Sequence, residues 1–502
     1  MKTESITTLG ELKTSGYKSR TIKDEMRDNL ISALKNATNP FEGIIGYDET
    51  VIPELQTAIL SRHNIILLGL RGQAKTKIAR LMINLLDEYL PIIDGSELND
   101  DPFYPLSVIA KQKIIEEGDN TKIKWIHRDE RYTEKLATPD VTVADLIGDV
   151  DPIKAAALKL PYSDERVIHF GLIPRSHRSI FVINELPDLQ ARIQVALFNI
   201  LEERDVQIRG FKIQLPLDIQ FVFTANPEDY TNRGSIVTPL KDRIDSQILT
   251  HYPKSTDHSR LITEQEANLA DEQKTFVDSG DLLKELIELI AFEARESDYI
   301  DHKSGVSARL TISAYENLMS TAERRSIINN GKKTQLRISD LFGVIPSITG
   351  KIELVYEGEQ EGPYKVAQIL IGRAIKNYFG KLFPTPDSLK KEETESPYLP
   401  IIKWFQSGNK IDLLNELSND EYKKNLNQVP CLNDIVKKFF AKENPNTKLL
   451  LMEFILFGLS EHSLLSRFKL ENGIQFKDML STMFTMPPED FPDEDDATLF
   501  RE

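Results

Sequence analysis

"NIILLGLRGQAKT", residues 64–76, joins a short β-rich apolar run to a glycine-bounded loop and then to a lysine and a threonine. The run Ile65–Leu68 is too short for a helix and reads as a buried strand. The segment after it, "KIARLMINLLDEYL", has helical spacing. Gly69, four further residues, Ala74, Lys75 and Thr76 match the spacing of a phosphate-binding loop, set in its strand–loop–helix context. Backbone N–H groups of such a loop, with the helix N-terminus, surround phosphates. Gly69, Gly72, Ala74, Lys75 and Thr76 are therefore candidate nucleotide-binding residues. Lys75 would reach the terminal phosphates, and the Thr76 hydroxyl would bind Mg²⁺. Ala74 stands where the motif normally has glycine, and its methyl group is tolerable if φ stays negative. Without its flanking elements, such a match could arise by chance.

Working outward, "SIFVIN" (179–184) and "IQFVFTAN" (219–226) are further apolar runs, separated by helical segments such as "LQARIQVALFNILEE" (189–203). Strands alternating with helices predict an α/β fold with a parallel sheet and helices on both faces. Extra elements are expected within 102–178, and a hairpin around Gly210 in "VQIRGFKIQL". The β signal fades after 252. The expected organisation is an N-terminal helical extension (1–40), an α/β nucleotide-binding domain (41–252), a helical lid (253–357) and a helical C-terminal domain (358–486). An acidic tail (487–502) reads as disordered. "PTPDSLKKEETESPY" (384–398) has the composition of a linker.

Two strand ends carry polar residues. Asn184 and Glu185 terminate "SIFVIN". Asn184 would hydrogen-bond a magnesium-bound water through its amide oxygen, and Glu185 would polarise an attacking water. Without the phosphate loop, the favoured reading is a strand end followed by a helix cap, with Glu185 only solvated. Asn226 ends the next strand, where an amide can bind the attacking water or a γ-phosphate. Arg243 in "TPLKDRID" and Arg309 in "GVSARLTISA" suit a transferring phosphoryl group, because guanidinium is planar, always charged and forked. Either arginine alone reads first as a surface ion pair; their order along the chain, together with the strand ends, reverses that reading.

Composition narrows the partners. The 502 residues carry a net charge of −16, with 40% apolar and 28% charged residues. That acidity argues against nucleic acid as a general partner. The single cysteine, Cys431, has no partner for an internal disulfide, which fits a reducing compartment. The first residues lack the apolar core of a signal peptide. "LLLMEFILFGL" (449–459) is too short to span a bilayer and contains Glu453, so it reads as a buried helix. The expectation is a cytoplasmic, multidomain protein with no membrane span.

With these residues in place, the stretch 41–345 resembles AAA+ ATPases of the MoxR and magnesium chelatase subunit I group. "GIIGYDE" (43–49) is similar to the segment that contacts adenine, which implicates Ile45. Lys75 and Thr76 match the Walker A residues, Glu185 the Walker B glutamate and Asn226 sensor 1. Arg243, in "LKDRI", matches the arginine finger, and Arg309 sensor 2. "TVADLIGDVDPIKAA" followed by "HFGLIPRSHRSIFVINE" resembles the chelatase pattern in which a hairpin insert precedes the Walker B strand. The departures are Ala74 and Asn184. The resemblance implies a P-loop AAA+ core, ATP and Mg²⁺ as cofactors, and ATP hydrolysis that drives remodelling or metal insertion. It also implies a homo-oligomeric ring, usually a hexamer, and a partner with a von Willebrand factor A domain. A nucleotide-gated scaffold with little hydrolysis, and a DNA-associated AAA+ protein, are the alternatives.

Overall fold

The computed structural model describes residues 6–161, 164–202, 215–227, 236–278, 280–330, 333–391 and 396–479. The hairpin expected around Gly210 and the acidic tail lie outside them. The chain divides into two compact units, Met1–Pro253 and Lys254–Glu502.

The first unit is built on five parallel strands: β1 (Ile65–Leu68), β2 (Tyr132–Leu136), β3 (Ser179–Asn184), β4 (Ile219–Ala225) and β5 (Ser246–Leu249). Their order across the sheet is β2-β3-β4-β1-β5. Register aligns Leu136 with Asn184, Ile183 with Phe223, and Leu68 with both Ala225 and Leu249. The carboxyl ends of all five strands therefore lie along one edge. In open parallel sheets that edge, where strand order reverses, is where ligands bind.

Side-chain alternation assigns the two faces. Ile65, Leu67, Ile180 and Val182 pack with helices α1 (Ile22–Lys35), α2 (Val51–Leu60) and α3 (Lys75–Leu81). Ile66, Leu68, Phe181 and Ile183 pack with α4 (Ala191–Glu202) on the other side. Strands buried on both faces lose the polar–apolar alternation, which is why these runs are continuously apolar. The segment 1–40 was expected as an extension, yet α1 shares the sheet's core. Its Glu25 accepts a two-pronged hydrogen bond, at 2.7 and 2.6 Å, from Arg131, which is fully buried just before β2. Residues 102–178 do hold extra elements, including antiparallel strands Gly148–Val150 and Ile168–Phe170 before β3. The tail of the helical segment "KIARLMINLLDEYL" departs from expectation. Tyr89–Ile93 is a strand, paired antiparallel with Ile123–His127 apart from the main sheet.

The second unit has one core, running from Val277 to Phe476 across the boundary expected at 357/358. Helices α5 (Asp281–Glu296), α6 (Arg309–Ile328), α7 (Pro363–Leu382) and α8 (Pro445–Glu461) supply most of it. Phe383, just before the linker candidate, and Tyr398, its last residue, are both buried in that core. The apolar stretch 449–459 lies within α8. Its Glu453 is fully buried and accepts from the Tyr422 hydroxyl at 2.7 Å and from the Ile338 and Ser339 N–H groups. Burial raises its pKa. The C-terminal part is mainly helical but also carries an antiparallel sheet of Ile411–Leu414, Gly473–Lys477 and Ser466–Leu470. The alternation in "SRFKLENGIQFK" is the sequence signal for its hairpin.

Candidate functional site

The loop 69–74 leaves the carboxyl end of β1 and enters α3. A Cβ at Gly69 would collide with the Thr250 hydroxyl and the Gln73 side-chain amide oxygen. Those two groups are hydrogen-bonded to each other at 2.7 Å. The absence of a side chain at 69 thus lets Gln73 lock the loop onto the end of β5. Tyr252 Oη donates to the Arg71 carbonyl at 2.9 Å. Tyr47 Oη lies within hydrogen-bond distance of the Gln73 and His251 carbonyls, at 3.1 and 2.7 Å. Burial pushes that phenol up to about 12. The segment 43–49 is held against the loop through Tyr47, and Ile45 within that segment is half-buried.

Ala74 takes φ 57° and ψ 15°. The negative φ that would make its methyl group harmless is not adopted. A left-handed conformation costs an ordinary L-residue about 1–2 kcal/mol, whereas glycine there loses about 0.5–1 kcal/mol more conformational entropy on folding than alanine does. The relief is the larger effect. Ala74→Gly is expected to stabilise the first unit by about 0.5 kcal/mol, read as a raised calorimetric midpoint. A lowered midpoint would contradict the left-handed geometry.

Lys75 is buried at the first position of α3. Its ammonium donates to the carbonyls of Gly69 and of Leu70 (3.0 Å), and to Asn226 Oδ1 at 2.7 Å. Asn226 Nδ2 in turn donates to Glu185 Oε2 at 2.9 Å. Three residues far apart in sequence therefore form one chain of contacts along the strand ends of β1, β4 and β3. Glu185 itself is left-handed, with φ 54° and ψ 51°, which turns the backbone sharply out of β3. Its N–H donates to Thr224 Oγ1 at 3.2 Å.

Asn184 is 7% exposed. Its Oδ1 accepts from Thr224 Oγ1 at 3.0 Å, and its Nδ2 donates to Glu134 Oε1 at 2.5 Å. Glu134, on β2, also accepts from Arg80 Nε at 2.9 Å and from the Tyr132 hydroxyl at 3.2 Å. That carboxylate raises the Arg80 pKa, and burial together with the same carboxylate raises that of Tyr132. Glu134 was missed in the sequence because it lies within 102–178, where the strands were not separated. The pattern "YTEKL" beside a strand was the available signal. Gln73, Thr250 and Tyr47 were missed as well, being contacts to the loop rather than parts of its motif.

The two arginines have other surroundings within their own units. Arg243 caps a short helix, Thr238–Asp242, and forks onto Glu202 Oε2 at 2.7 Å (Nε) and 2.5 Å (Nη2), with its guanidinium 5.2 Å from the Phe198 ring centroid. Arg309 opens α6 in the second unit and is exposed, with no side-chain polar partner among the described residues.

The donor set fits a nucleotide. Among the described residues, the N–H groups of Gly72 and Ala74 have no hydrogen-bond partner, and a buried ammonium lies at the same helix start. Both are what an anion needs. The Thr76 hydroxyl is half-buried on the first turn of α3. Among the described residues, no group of three or more His, Cys, Asp or Glu is placed to hold a metal ion. Magnesium needs no such group, since it keeps several waters and uses one or two protein ligands together with phosphates. Nor, among the described residues, is any helix long and apolar enough to cross a membrane.

No protein-family model matches the chain, and no curated protein matches it. Solved structures of partly similar fold include a RuvB P216G mutant of Thermotoga maritima, 10% identical with a TM-score of 0.36, over 76% of this chain and 96% of that one. Another is a model of the BchI and BchD subunits of magnesium chelatase, 17% identical with a TM-score of 0.33, over 64% and 98%. NtrX from Brucella abortus in complex with ADP is 13% identical with a TM-score of 0.35, over 73% and 70%. At such low identities and scores, what those proteins bind or assemble with is not carried over to this chain.

Proposed function

We propose that this protein is an ATP-binding and ATP-hydrolysing AAA+ motor, similar to the MoxR and magnesium chelatase subunit I group. The observation that supports this most is the chain Lys75–Asn226–Glu185, which joins a phosphate-type loop to a carboxylate across three adjacent strand ends. On this reading the loop N–H groups and Lys75 hold the phosphates. Thr76 and the Asn184 amide hold the metal shell, Glu185 takes the proton of the attacking water, and Asn226 orients that water. A magnesium ion arriving with ATP would supply charge neutralisation at the phosphate oxygens. Ile45 would lie beside the base, and Arg309 would act as the lid arginine.

The test is turnover by the purified protein with and without Mg²⁺. Magnesium-dependent release of phosphate supports the motor. Tight nucleotide binding without release supports the scaffold reading, which the left-handed Ala74 and the neutral Asn184 favour.

The reading places Arg243 at the site of a neighbouring subunit in a ring, with a von Willebrand factor A domain protein receiving the work. Its bond to Glu202 is no obstacle. The two side chains are 28% and 54% exposed, and an exposed pair of this kind contributes only about 0–1 kcal/mol, so the guanidinium can be redirected. Arg243→Ala subunits are expected to bind ATP and hydrolyse little. Mixing them with Glu185→Gln subunits should restore part of the rate, because some interfaces then pair an intact Glu185 with an intact Arg243. Hydrolysis that persists in demonstrated monomers would remove the shared site.

A further inference from the structure

Position 184 holds a neutral amide at the place where the proposed site needs to bind a hydrated cation. Next to it, on β2, stands a carboxylate. Register sets Glu134 opposite Val182 and Leu136 opposite Asn184, so the Glu134 side chain reaches the strand tip from the adjacent strand. The contact between Glu134 Oε1 and Asn184 Nδ2 is 2.5 Å. A carboxylate only accepts hydrogen bonds, so it must face the NH₂ group of the amide. The amide oxygen is thereby turned away from Glu134, toward Thr224 Oγ1 at 3.0 Å. Thr224 uses one of that oxygen's two lone pairs, and the second stays available.

We infer that Glu134 is a positioning residue for the metal shell of this site: its carboxylate orients the Asn184 amide and supplies the negative charge that position 184 lacks. The inference rests on the nucleotide-binding reading above. The charged groups facing Glu134 are known. Arg80 on α3 pairs with it, but the Arg80 side chain is 63% exposed, so solvent screens that pair. Tyr132, on the same strand, donates a neutral hydroxyl. The Glu134 carboxylate is 21% exposed and so acts at short range with little screening. Together Glu134 and Asn184 make a divided acidic group, with charge on one strand and the shell-facing oxygen on the next.

A charge swap tests this. In Asn184→Asp, two carboxylates face each other with no proton donor between them, which lowers the melting temperature. In Glu134→Gln the charge is lost, and a glutamine amide can meet Asn184 with either its oxygen or its NH₂ group, so the orientation of the Asn184 amide is no longer fixed. The Mg²⁺ concentration that half-saturates the magnesium-dependent part of binding of a fluorescent non-hydrolysable ATP analogue should then rise about tenfold, the effect of losing one charged hydrogen bond. Affinity for the same analogue without Mg²⁺ should stay unchanged. In the double variant Glu134→Gln with Asn184→Asp, the glutamine amide donates to the new aspartate. Both the melting temperature and the Mg²⁺ midpoint should return toward wild type; a merely structural role for Glu134 accounts for the first but leaves the Mg²⁺ midpoint of Glu134→Gln unmoved. If Glu134→Gln alone does not fold, the double variant decides.

An unchanged Mg²⁺ midpoint in Glu134→Gln, or a double variant as impaired as the singles, overturns the inference while nucleotide binding stands. A wild-type protein that binds no analogue at any Mg²⁺ concentration overturns the nucleotide reading, and the inference with it.

Discussion

Lys75→Ala is expected to lose measurable ATP binding while the parallel sheet stays folded. The ammonium is a buried positive group at the start of α3, turned onto the loop carbonyl of Leu70. A hydrogen bond to a charged group contributes about 1.5–3 kcal/mol. Two such bonds to phosphate oxygens correspond to roughly a hundredfold to ten-thousandfold in affinity. The folded state loses less. Lysine is held by two carbonyls and Asn226, and these lie at the edge of the sheet, where water can replace it. Alanine is also the better helix former at that position. Circular dichroism should therefore be unchanged, with a small drop in melting temperature. The check is calorimetric titration with ATP. An affinity equal to wild type would mean that the loop holds something other than phosphate.

The second large effect is on turnover alone. Glu185→Gln should keep ATP bound and slow hydrolysis by about a hundredfold to ten-thousandfold, the range for removing a general base. The substitution changes little else. Glutamine has nearly the same shape, its amide oxygen can still accept from Asn226 Nδ2, and the left-handed backbone at 185 is no more strained with glutamine than with glutamate. A single-turnover assay with ATP pre-bound separates chemistry from binding. A rate equal to wild type would leave "SIFVINELPD" as an ordinary strand end, and the water-activating group would have to be sought elsewhere.

The legible part of this protein was the part written in short-range pattern. Ile65–Leu68, the loop with its lysine and the helix after it are contiguous, and local chemistry specifies all three. The apolar runs at 180–183 and 219–225 announce buried strands because both of their faces are covered. Once those strands are parallel, Lys75, Asn226 and Glu185 fall along one edge, since every carboxyl end lies there. The unread part depends on which strand lies beside which. Glu134 is 50 residues from Asn184 and touches it only because β2 is the neighbour of β3. Thr250 reaches Gln73 across 177 residues because β5 flanks β1. The positive φ of Ala74 is likewise a tertiary outcome, since alanine alone favours the opposite sign and the loop, held by Gln73 on one side and α3 on the other, imposes it. The single core of the second unit follows the same logic. Its helices were visible from periodicity, but which faces pack together is decided by contacts between residues as distant as Ile338 and Glu453, and no local pattern encodes such a pairing.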